Sequence, residues 1–470
     1  MAEWQHLIVV LPGIGGSVLA RPGSPEDVVW DAGKGDIADL VLRPDRMSLA
    51  ESPCLTPLGL TESTKFLGFT LVPGYERLLD QLGQYGRVDR RGDPCYPVPG
   101  AKVVAVPYDF RRSIVVAAER VDAVVCAHLA GLSQAERAGR VIVVAHSMGG
   151  LVARVWLGLL GRWPWCRALI TLGTPHRGAP KALNCLVNGV RLVGCELSRP
   201  TELLRGWPAV AELLPRYRSV WDTTAGTARY PHELPLPLLA PAAKVAFDLH
   251  RQIEQCWQDM PRSGPGMVAC LGWSHRTPDA GYWDGRRLRV TKDQPGWLEL
   301  AGNWRRDFGD GTVPAYSALP VELDNQPRGP DRLPDRHIPM ACSTRIMELL
   351  ADYEGWLRID HIRGAEREPA IGLDLDEVHA AGEPIAVTAT LREVDADVSG
   401  QGVWALLRPH GDETAAPVGT RLEWDGGLGC FRGTLPGQAE GLYDVEVLSQ
   451  QVPGAGDLDI SDTVAVVSGE

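Results

Sequence analysis

Residues 140–150, RVIVVAHSMGG, join a continuous apolar run to a serine and two glycines, and the chain continues as LVARVWLGLLG to Gly161. A short apolar run without alternation is typical of a strand that is buried on both faces. After Ser147 the apolar residues recur at helical spacing, and Gly161 is placed to end the helix. The stretch therefore predicts a buried strand, a sharp turn and a helix in direct succession.

The same alternation of short apolar runs with helical patterns covers most of the first 180 residues. Further apolar runs lie at 5–11, 102–106 and 167–172, and an alanine-rich helical pattern covers 113–131. Buried strands that alternate with helices indicate a mostly parallel sheet covered on both faces, which is an α/β fold.

A Pro- and Leu-rich region interrupts this rhythm between residues 181 and 300, as in RYPHELPLPLLAP at 229–241. We predict an inserted cap over 181–300, with a helix at 242–260. The sheet pattern resumes near 266–271 and again around 308–313, and a last helix is predicted over 338–357. The α/β core is accordingly assigned to 1–180 and 301–362.

The chain changes character beyond a charged linker, RGAEREPA. Apolar residues now alternate with polar or small ones from Ile385 to Leu391, and short runs follow at 402–408, 418–424 and 442–448. Short alternating strands between Gly, Pro and Asp turns predict an antiparallel, immunoglobulin-like β-sandwich over 366–470.

The composition describes an acidic globular chain of 470 residues with a net charge of −12. Nucleic-acid binding depends on Lys and Arg that replace counterions, so a nucleic-acid partner is not expected. No basic segment precedes the N-terminal apolar run and no stretch reaches about 20 apolar residues, so neither a signal peptide nor a membrane span is recognised and we expect a cytoplasmic location. The ten cysteines lack metal-ligand spacing, and we expect neither a metal nor an organic cofactor.

Ser147 lies at the predicted turn between strand and helix, which would expose its hydroxyl at the carboxyl edge of the sheet as a candidate nucleophile. The signature of such a strand–turn–helix is G-x-S-x-G, and here Ala145 replaces the first glycine while Gly149 and Gly150 follow the serine. The alternative is a small-residue turn of any doubly wound fold. A serine also needs a neighbouring base to become a nucleophile.

A second glycine-rich turn, VVLPGIGGS at 9–17, follows the first predicted strand. In this arrangement an N–H of an early loop and the N–H after the nucleophile stabilise the oxyanion of the tetrahedral intermediate. Ile14 and Met148 are the candidate donors. The spacing lacks the lysine of a phosphate-binding loop.

The candidate acid and base lie downstream. Asp310, in FGDGTVPAYSA, suits a carboxylate that orients a histidine, and Asp307 is the alternative. Of the four histidines after Asp310, His337 is the one outside the linker and the sandwich. The order Ser147, Asp310, His337 is the order of α/β-hydrolases.

These motifs resemble the lecithin:cholesterol acyltransferase family of α/β-hydrolases, which includes lipases, phospholipases and acyltransferases. The matching stretches are LPGIGGSVL (11–19), GYERLLDQLGQYG (74–86), PYDFRRS (107–113), AHSMGG (145–150), TLGTPHRGAP (171–180), GDGTVP (309–314) and His337. The resemblance implies an α/β-hydrolase fold, with Ser147 as nucleophile, His337 as general acid and base, and Asp310 as its orienting partner.

The expected function is therefore cleavage or transfer of an acyl group from a lipid ester, through an acyl-enzyme. Residues 30–70 and 181–300 would wall the acyl pocket, without individual substrate-binding residues being assigned. The tryptophans of the cap suit peripheral membrane contact, or equally a buried core. Two alternatives stay open: an esterase or thioesterase for small soluble substrates, and a degenerate hydrolase that binds a protein partner through the sandwich.

Overall fold

A computed structural model describes residues 4–31, 43–61, 74–192, 195–261, 263–304, 307–324, 329–354, 367–412 and 414–467. The linker histidine His361 and parts of the expected pocket wall, 32–42 and 62–70, lie outside the described residues. Within the described part of the chain, no helix combines the length and the apolar character that a membrane crossing requires.

Sixteen strands occur among the described residues of the N-terminal two thirds of the chain. In chain order they are β1 (Leu7–Leu11), β2 (Ser17–Arg21), β3 (Ser24–Trp30), β4 (Thr56–Leu60), β5 (Val88–Asp89), β6 (Val103–Ala105), β7 (Val141–His146), β8 (Cys166–Leu172), β9 (Val190–Leu192), β10 (Cys195–Leu197), β11 (Val220–Asp222), β12 (Thr227–Arg229), β13 (Gly266–Gly272), β14 (Ala280–Trp283), β15 (Leu288–Thr291) and β16 (Asp331–Leu333).

Seven of these strands form the main sheet, in the order β16-β13-β8-β7-β1-β6-β5. Every neighbouring pair is parallel. The apolar runs predicted as buried strands are β1, β6, β7 and β8, which lie side by side in the middle of the sheet. The predicted mostly parallel sheet is thus confirmed.

The alternation along β7 explains why its sequence is apolar from Val141 to Ala145, before His146 at its end. Val143 and Ala145 pack into the hydrophobic core on one face of the sheet, whereas Ile142 and Val144 pack into the core on the other. Each fully buried valine or isoleucine contributes about 1.5–3 kcal/mol relative to an exposed one. A polar residue at any position from Val141 to Ala145 would therefore face an apolar core.

Nine α-helices occur among the described residues. They are α1 (Tyr75–Leu82), α2 (Ile114–His128), α3 (Gln134–Arg137), α4 (Met148–Arg154), α5 (Pro180–Asn188), α6 (Ser198–Arg205), α7 (Pro208–Ala211), α8 (Ala240–Gln258) and α9 (Arg345–Glu354). Helix α2 matches the pattern at 113–131, and the side chain of Ser113 caps it by accepting a hydrogen bond from the Val115 N–H. Helix α4 continues as a π-helical turn, Val155–Leu159, and Gly161 follows with φ 68°.

Three expectations are corrected by the structure. The strand expected around 308–313 is a turn with isolated bridges, because Gly309 and Gly311 have φ values of 149° and 92°. The last helix, expected over 338–357, is split into a 3-10 turn, Pro339–Cys342, and α9, since Ser343 is extended at ψ 136°. The cap expected over 181–300 includes β13, which is a strand of the main sheet.

The rest of 181–300 forms helices and two small sheets, β10-β9 and β12-β11-β14-β15. A further three-stranded sheet, β3-β2-β4, precedes the cap in sequence. Of the seven tryptophans at 181–304, four are buried and the other three are half-buried. These indoles pack largely inside the protein, as the core interpretation expects.

The regular secondary structure of residues 367–412 and 414–467 consists of β-strands. Its strands are β17 (Ala370–Asp374), β18 (Val378–Ala380), β19 (Ile385–Arg392), β20 (Val403–Pro409), β21 (Val418–Asp425), β22 (Cys430–Leu435), β23 (Gly441–Val452) and β24 (Gly456–Val467). Strand β21 pairs with β20 through its first half and with β22 through its second, so the array β17-β19-β22-β21-β20-β23-β24-β18 folds over one apolar core. The predicted α/β fold with a C-terminal β-sandwich is confirmed.

Candidate active site

Ser147 lies on a sharp turn between β7 and α4. Its backbone adopts φ 53° and ψ −126°, a conformation that L-residues rarely adopt and that is strained for serine. The Ser147 N–H donates to the Leu172 carbonyl at 2.8 Å, which ties the turn to the neighbouring strand. The hydroxyl thus lies at the carboxyl edge of the sheet, as in the strand–turn–helix predicted from the sequence.

The glycines after the serine are required by close approach. A Cβ at Gly149 would lie 2.6 Å from the Pro12 carbonyl oxygen, and one at Gly150 would lie 2.0 Å from Thr174 Oγ1. Ala145, on the other side of the turn, is fully buried with its side chain in the core. The departure from G-x-S-x-G therefore stands at the position where a methyl group is accommodated.

His337 lies between Ser147 and Asp310. Its Nε2 is 2.9 Å from Ser147 Oγ, and its Nδ1 is 2.7 Å from Asp310 Oδ2. A carboxylate only accepts hydrogen bonds, so Nδ1 carries the proton and Nε2 is free to accept the one from the serine hydroxyl. All three side chains are almost wholly buried.

The turn 309–313 holds the Asp310 carboxylate in place. Its Oδ1 accepts hydrogen bonds from the N–H groups of Thr312 and Val313, at 2.8 and 2.6 Å. Burial raises the pKa of this carboxyl, but the charge of His337 and the hydrogen bonds to His337, Val313 and Thr312 outweigh burial, and the net pKa is lowered. Asp310 is therefore held ionised against the imidazole.

Asp307, the alternative acid, is engaged elsewhere. Its carboxylate pairs with Arg332 at 3.1 Å and with Arg367 at 2.7 Å. The structure thus brings Asp310, rather than Asp307, to His337.

The segment after β1 lies against Ser147. A Cβ at Gly13 would lie 2.9 Å from Ser147 Cβ, so only glycine allows the loop to come this close. Ile14 lines the same cavity as Ser147 and His337. Met148 is the first residue of α4, where helical N–H groups have no partner within the helix.

A chain of buried hydrogen bonds behind the site was not anticipated from the sequence. The Gly13 N–H donates to the Tyr75 hydroxyl at 2.7 Å, and Tyr75 Oη lies 2.8 Å from His146 Nδ1. His146 Nε2 lies 2.8 Å from the His337 carbonyl oxygen. Because that carbonyl only accepts, His146 carries its proton on Nε2, and Nδ1 accepts from the Tyr75 hydroxyl.

The hydrogen bonds that link Tyr75, His146 and His337 require the imidazole of His146 to be neutral. Burial, and then the positive charge that His337 can carry, lower the pKa of His146 to about 3. Burial likewise raises the pKa of Tyr75. The signals for these residues were the histidine directly before Ser147 and the tyrosine in GYERLLDQLGQYG, but their pairing depends on the folded chain.

Gly173 is a third residue, after Tyr75 and His146, whose role was not predicted from the sequence. It follows β8 with φ 56°, and a Cβ there would lie 2.8 Å from Asp310 Oδ2 and 3.0 Å from His337 Nδ1. A side chain at this position would push into the histidine–carboxylate pair.

The cavity at Ser147 is lined mainly by apolar side chains. Besides the residues already described, its walls are Pro175, Ala179, Ala182, Leu213, Thr312 and Val313. Ser147 and His337 thus line a cavity whose other walls are mainly apolar.

The fold and this arrangement define an α/β-hydrolase type of protein. The sequence model of the lecithin:cholesterol acyltransferase family matches residues 59–234, so the resemblance seen in the motifs is confirmed over the segment that contains Ser147. The match supports a lipid-ester hydrolase or acyltransferase in general. Among curated proteins, none matches the chain.

Similarity to solved structures is low. The lipase BlEst2 of Bacillus licheniformis in its mature form is 12% identical, with 74% of this chain and 91% of that chain covered and a TM-score of 0.33. Its propeptide form is 9% identical, with 98% and 93% covered and a TM-score of 0.34. A superoxide reductase from Ignicoccus hospitalis is 15% identical over 21% of this chain and 82% of its own, with a TM-score of 0.18. TM-scores this low carry no functional argument.

Proposed function

We propose that the protein is a serine hydrolase or O-acyltransferase of lipid esters, phospholipids or acylglycerols, and that it acts through an acyl-enzyme on Ser147. The observation that carries the proposal is the continuous contact from Ser147 Oγ through His337 to Asp310 Oδ2, at 2.9 and 2.7 Å. These distances lie within hydrogen-bond reach, as a nucleophile and its base require.

In the first half-reaction Ser147 Oγ attacks the ester carbonyl carbon while His337 Nε2 accepts the hydroxyl proton. The tetrahedral intermediate then collapses, the bond to the leaving alcohol breaks, and His337 returns the proton to that alcohol. Asp310 keeps the imidazole in the required tautomer and stabilises the imidazolium.

The negative charge of the intermediate would be held by the N–H groups of Ile14 and Met148. The proximity of the Gly13 loop to Ser147 supports this assignment. Removing one donor of this kind typically lowers turnover by about 10²–10³-fold.

In the second half-reaction a water or an alcohol attacks the acyl-enzyme carbonyl, with His337 Nε2 now taking the proton of the acceptor. The second tetrahedral intermediate then collapses, the bond between the acyl carbon and Ser147 Oγ breaks, and His337 returns the proton to Ser147 Oγ. Water gives hydrolysis, and an alcohol gives acyl transfer. The apolar lining formed by Pro175, Ala179, Leu213 and Val313 supports an aliphatic acyl chain beside the serine, because such a wall offers it no competing polar group.

Labelling with a fluorophosphonate probe tests the nucleophile. We expect the wild-type protein to be labelled once per chain and Ser147→Ala to be unlabelled. The matched control is Ser133→Ala, which alters an exposed serine that caps α3 and should be labelled like the wild type. Labelling that survives Ser147→Ala would refute the assignment.

The substrate class is tested with the same variants. Phospholipid and acylglycerol vesicles are incubated with wild type and Ser147→Ala, and the lipids are identified by mass spectrometry with and without an added long-chain alcohol. Loss of substrate that depends on Ser147 supports the proposal. Turnover restricted to short, soluble p-nitrophenyl esters, with no gain from micelles, would instead favour the small-substrate esterase.

A further inference from the structure

The C-terminal sandwich packs directly on the two loops that carry Asp310 and His337. A Cβ at Gly372 in β17 would lie 2.4 Å from the Ser274 carbonyl oxygen, so the backbones there are in contact. The next residue, Leu373, donates its N–H to His275 Nδ1 at 3.0 Å. The opposite ring nitrogen of His275 lies 2.6 Å from the Pro334 carbonyl oxygen, three residues before His337.

Arg336, the residue before His337, is held almost entirely by the sandwich. Its Nε forms a buried ion pair with Asp462 Oδ2 in β24 at 2.6 Å. Its two terminal nitrogens donate to the carbonyl oxygens of Leu373 and Leu375, at 3.2 and 3.4 Å. The guanidinium is therefore fixed by groups from both β17 and the last strand.

The same guanidinium also lies against the acid loop. A Cβ at Gly311 would lie 3.1 Å from Arg336 Nη2, so the arginine covers the backbone directly after Asp310. The His337 N–H in turn donates to the Asp310 carbonyl at 2.9 Å. One side chain, anchored in the sandwich, thus touches both loops of the histidine–carboxylate pair.

A second contact reaches the same turn from another side. Lys181 in α5 pairs with Glu377, which lies between β17 and β18, at 2.5 Å, and its Nζ lies 3.3 Å from Thr312 Oγ1. Thr312 also donates its N–H to the Asp310 carboxylate.

We propose that the sandwich is a positioning element for the active site, and that the Arg336–Asp462 pair sets the place of His337 relative to Ser147 and Asp310. The inference rests on the proposed hydrolase function. Arg336 and Asp462 do not touch the reacting atoms, so their role is exerted through the backbone of the neighbouring residues. A displacement of about 1 Å at a catalytic group lowers turnover by about 10²-fold.

The test compares Asp462→Ala and Asp462→Asn with the wild type. The alanine variant leaves the buried Arg336 guanidinium with its two carbonyl acceptors but without the Asp462 carboxylate. The asparagine variant preserves volume and keeps a polar oxygen, so it protects the test against a failure to fold. In both we expect kcat for a p-nitrophenyl ester, and the second-order rate of fluorophosphonate labelling, to fall, by about 10- to 100-fold in Asp462→Ala and less in Asp462→Asn. KM should stay within about two-fold, because the acyl cavity is untouched.

The matched control is Lys292→Met, which removes another ion pair between the sandwich and the hydrolase, Lys292 to Asp374 at 2.6 Å. This variant weakens docking without touching the two loops, so its labelling rate should equal that of the wild type. Wild-type kcat and labelling in a folded Asp462→Asn, a change confined to KM, or an equal loss in Lys292→Met would each overturn the proposal. Absence of labelling in the wild type would instead refute the hydrolase function itself.

Discussion

Replacing Tyr75 with phenylalanine tests the buried chain behind the nucleophile. The hydroxyl of Tyr75 accepts from the Gly13 N–H and donates to His146 Nδ1, and Tyr75 is fully buried. Its loss leaves one donor and one acceptor without partners, and each such group costs about 1–3 kcal/mol. Tyr75→Phe should therefore lower the free energy of unfolding by about 2–6 kcal/mol.

The loss of the Tyr75 hydroxyl should also lower the reactivity of Ser147. Gly13 belongs to the loop that lies against Ser147, and His146 binds the backbone of His337. We expect the rate of fluorophosphonate labelling to fall in the folded variant, because both the proposed oxyanion loop and the histidine lose a tether.

Urea unfolding and labelling rates are measured alongside Tyr108→Phe. The hydroxyl of Tyr108 donates to the Pro12 carbonyl, so this change leaves a single acceptor unpaired and should cost about 1–3 kcal/mol. A Tyr75→Phe protein that is no less stable than Tyr108→Phe and is labelled at the wild-type rate would refute the reasoning.

Further perturbations separate other parts of the site. Asp310→Asn should lower kcat by about 10⁴-fold, since it favours the wrong histidine tautomer. Asp307→Asn should keep the labelling rate of its folded fraction, because the Asp307 carboxylate pairs with two arginines and not with His337. Equal losses of labelling rate in the two variants would contradict this assignment. Ser147→Gly should be about 1 kcal/mol more stable to urea than Ser147→Ala, because glycine adopts the φ of 53° without strain, and equal stability would argue against strain. Burial lowers the pKa of His146 and His275 from 6.5 to about 3. Between pH 6.5 and about pH 3 the unfolded chain therefore binds protons that the folded chain does not, and as the pH falls through this range stability is lost by about 1.4 kcal/mol per pH unit for each histidine. His275→Gln keeps a donor and an acceptor and should reduce that slope by one proton in urea titrations, a result that an unchanged slope would exclude.

The elements that could be predicted are those whose signal is local. Strand β7 is buried on both faces and so reads as a continuous apolar run, and α2 carries its own serine cap. The candidate triad was accessible because the order of Ser147, Asp310 and His337 along the chain limits the choices.

The remainder depends on residues that meet only in the folded chain. Nothing local indicates that β1 lies between β6 and β7, or that Tyr75 binds His146. The strand expected at 308–313 is wrong because two glycines with positive φ turn the backbone there. The need for a glycine at position 173 likewise arises only in the folded chain, where Asp310 and His337 lie beside it.

The place of β1 in the sheet bears on when the site appears as the chain folds. Both neighbours of this strand, β6 and β7, follow it in the sequence. Strand β1 can therefore form its hydrogen bonds on both sides only when the chain as far as the end of β7 is available. Such non-local parallel pairing is slow, because long loops must close before the contacts compensate. The loop with Gly13 and Ile14 directly follows β1 and takes its position only after that insertion. The arrangement around Ser147 should thus be completed late in folding, and in a partly folded chain Ser147 would lack the loop with Gly13 and Ile14 beside it.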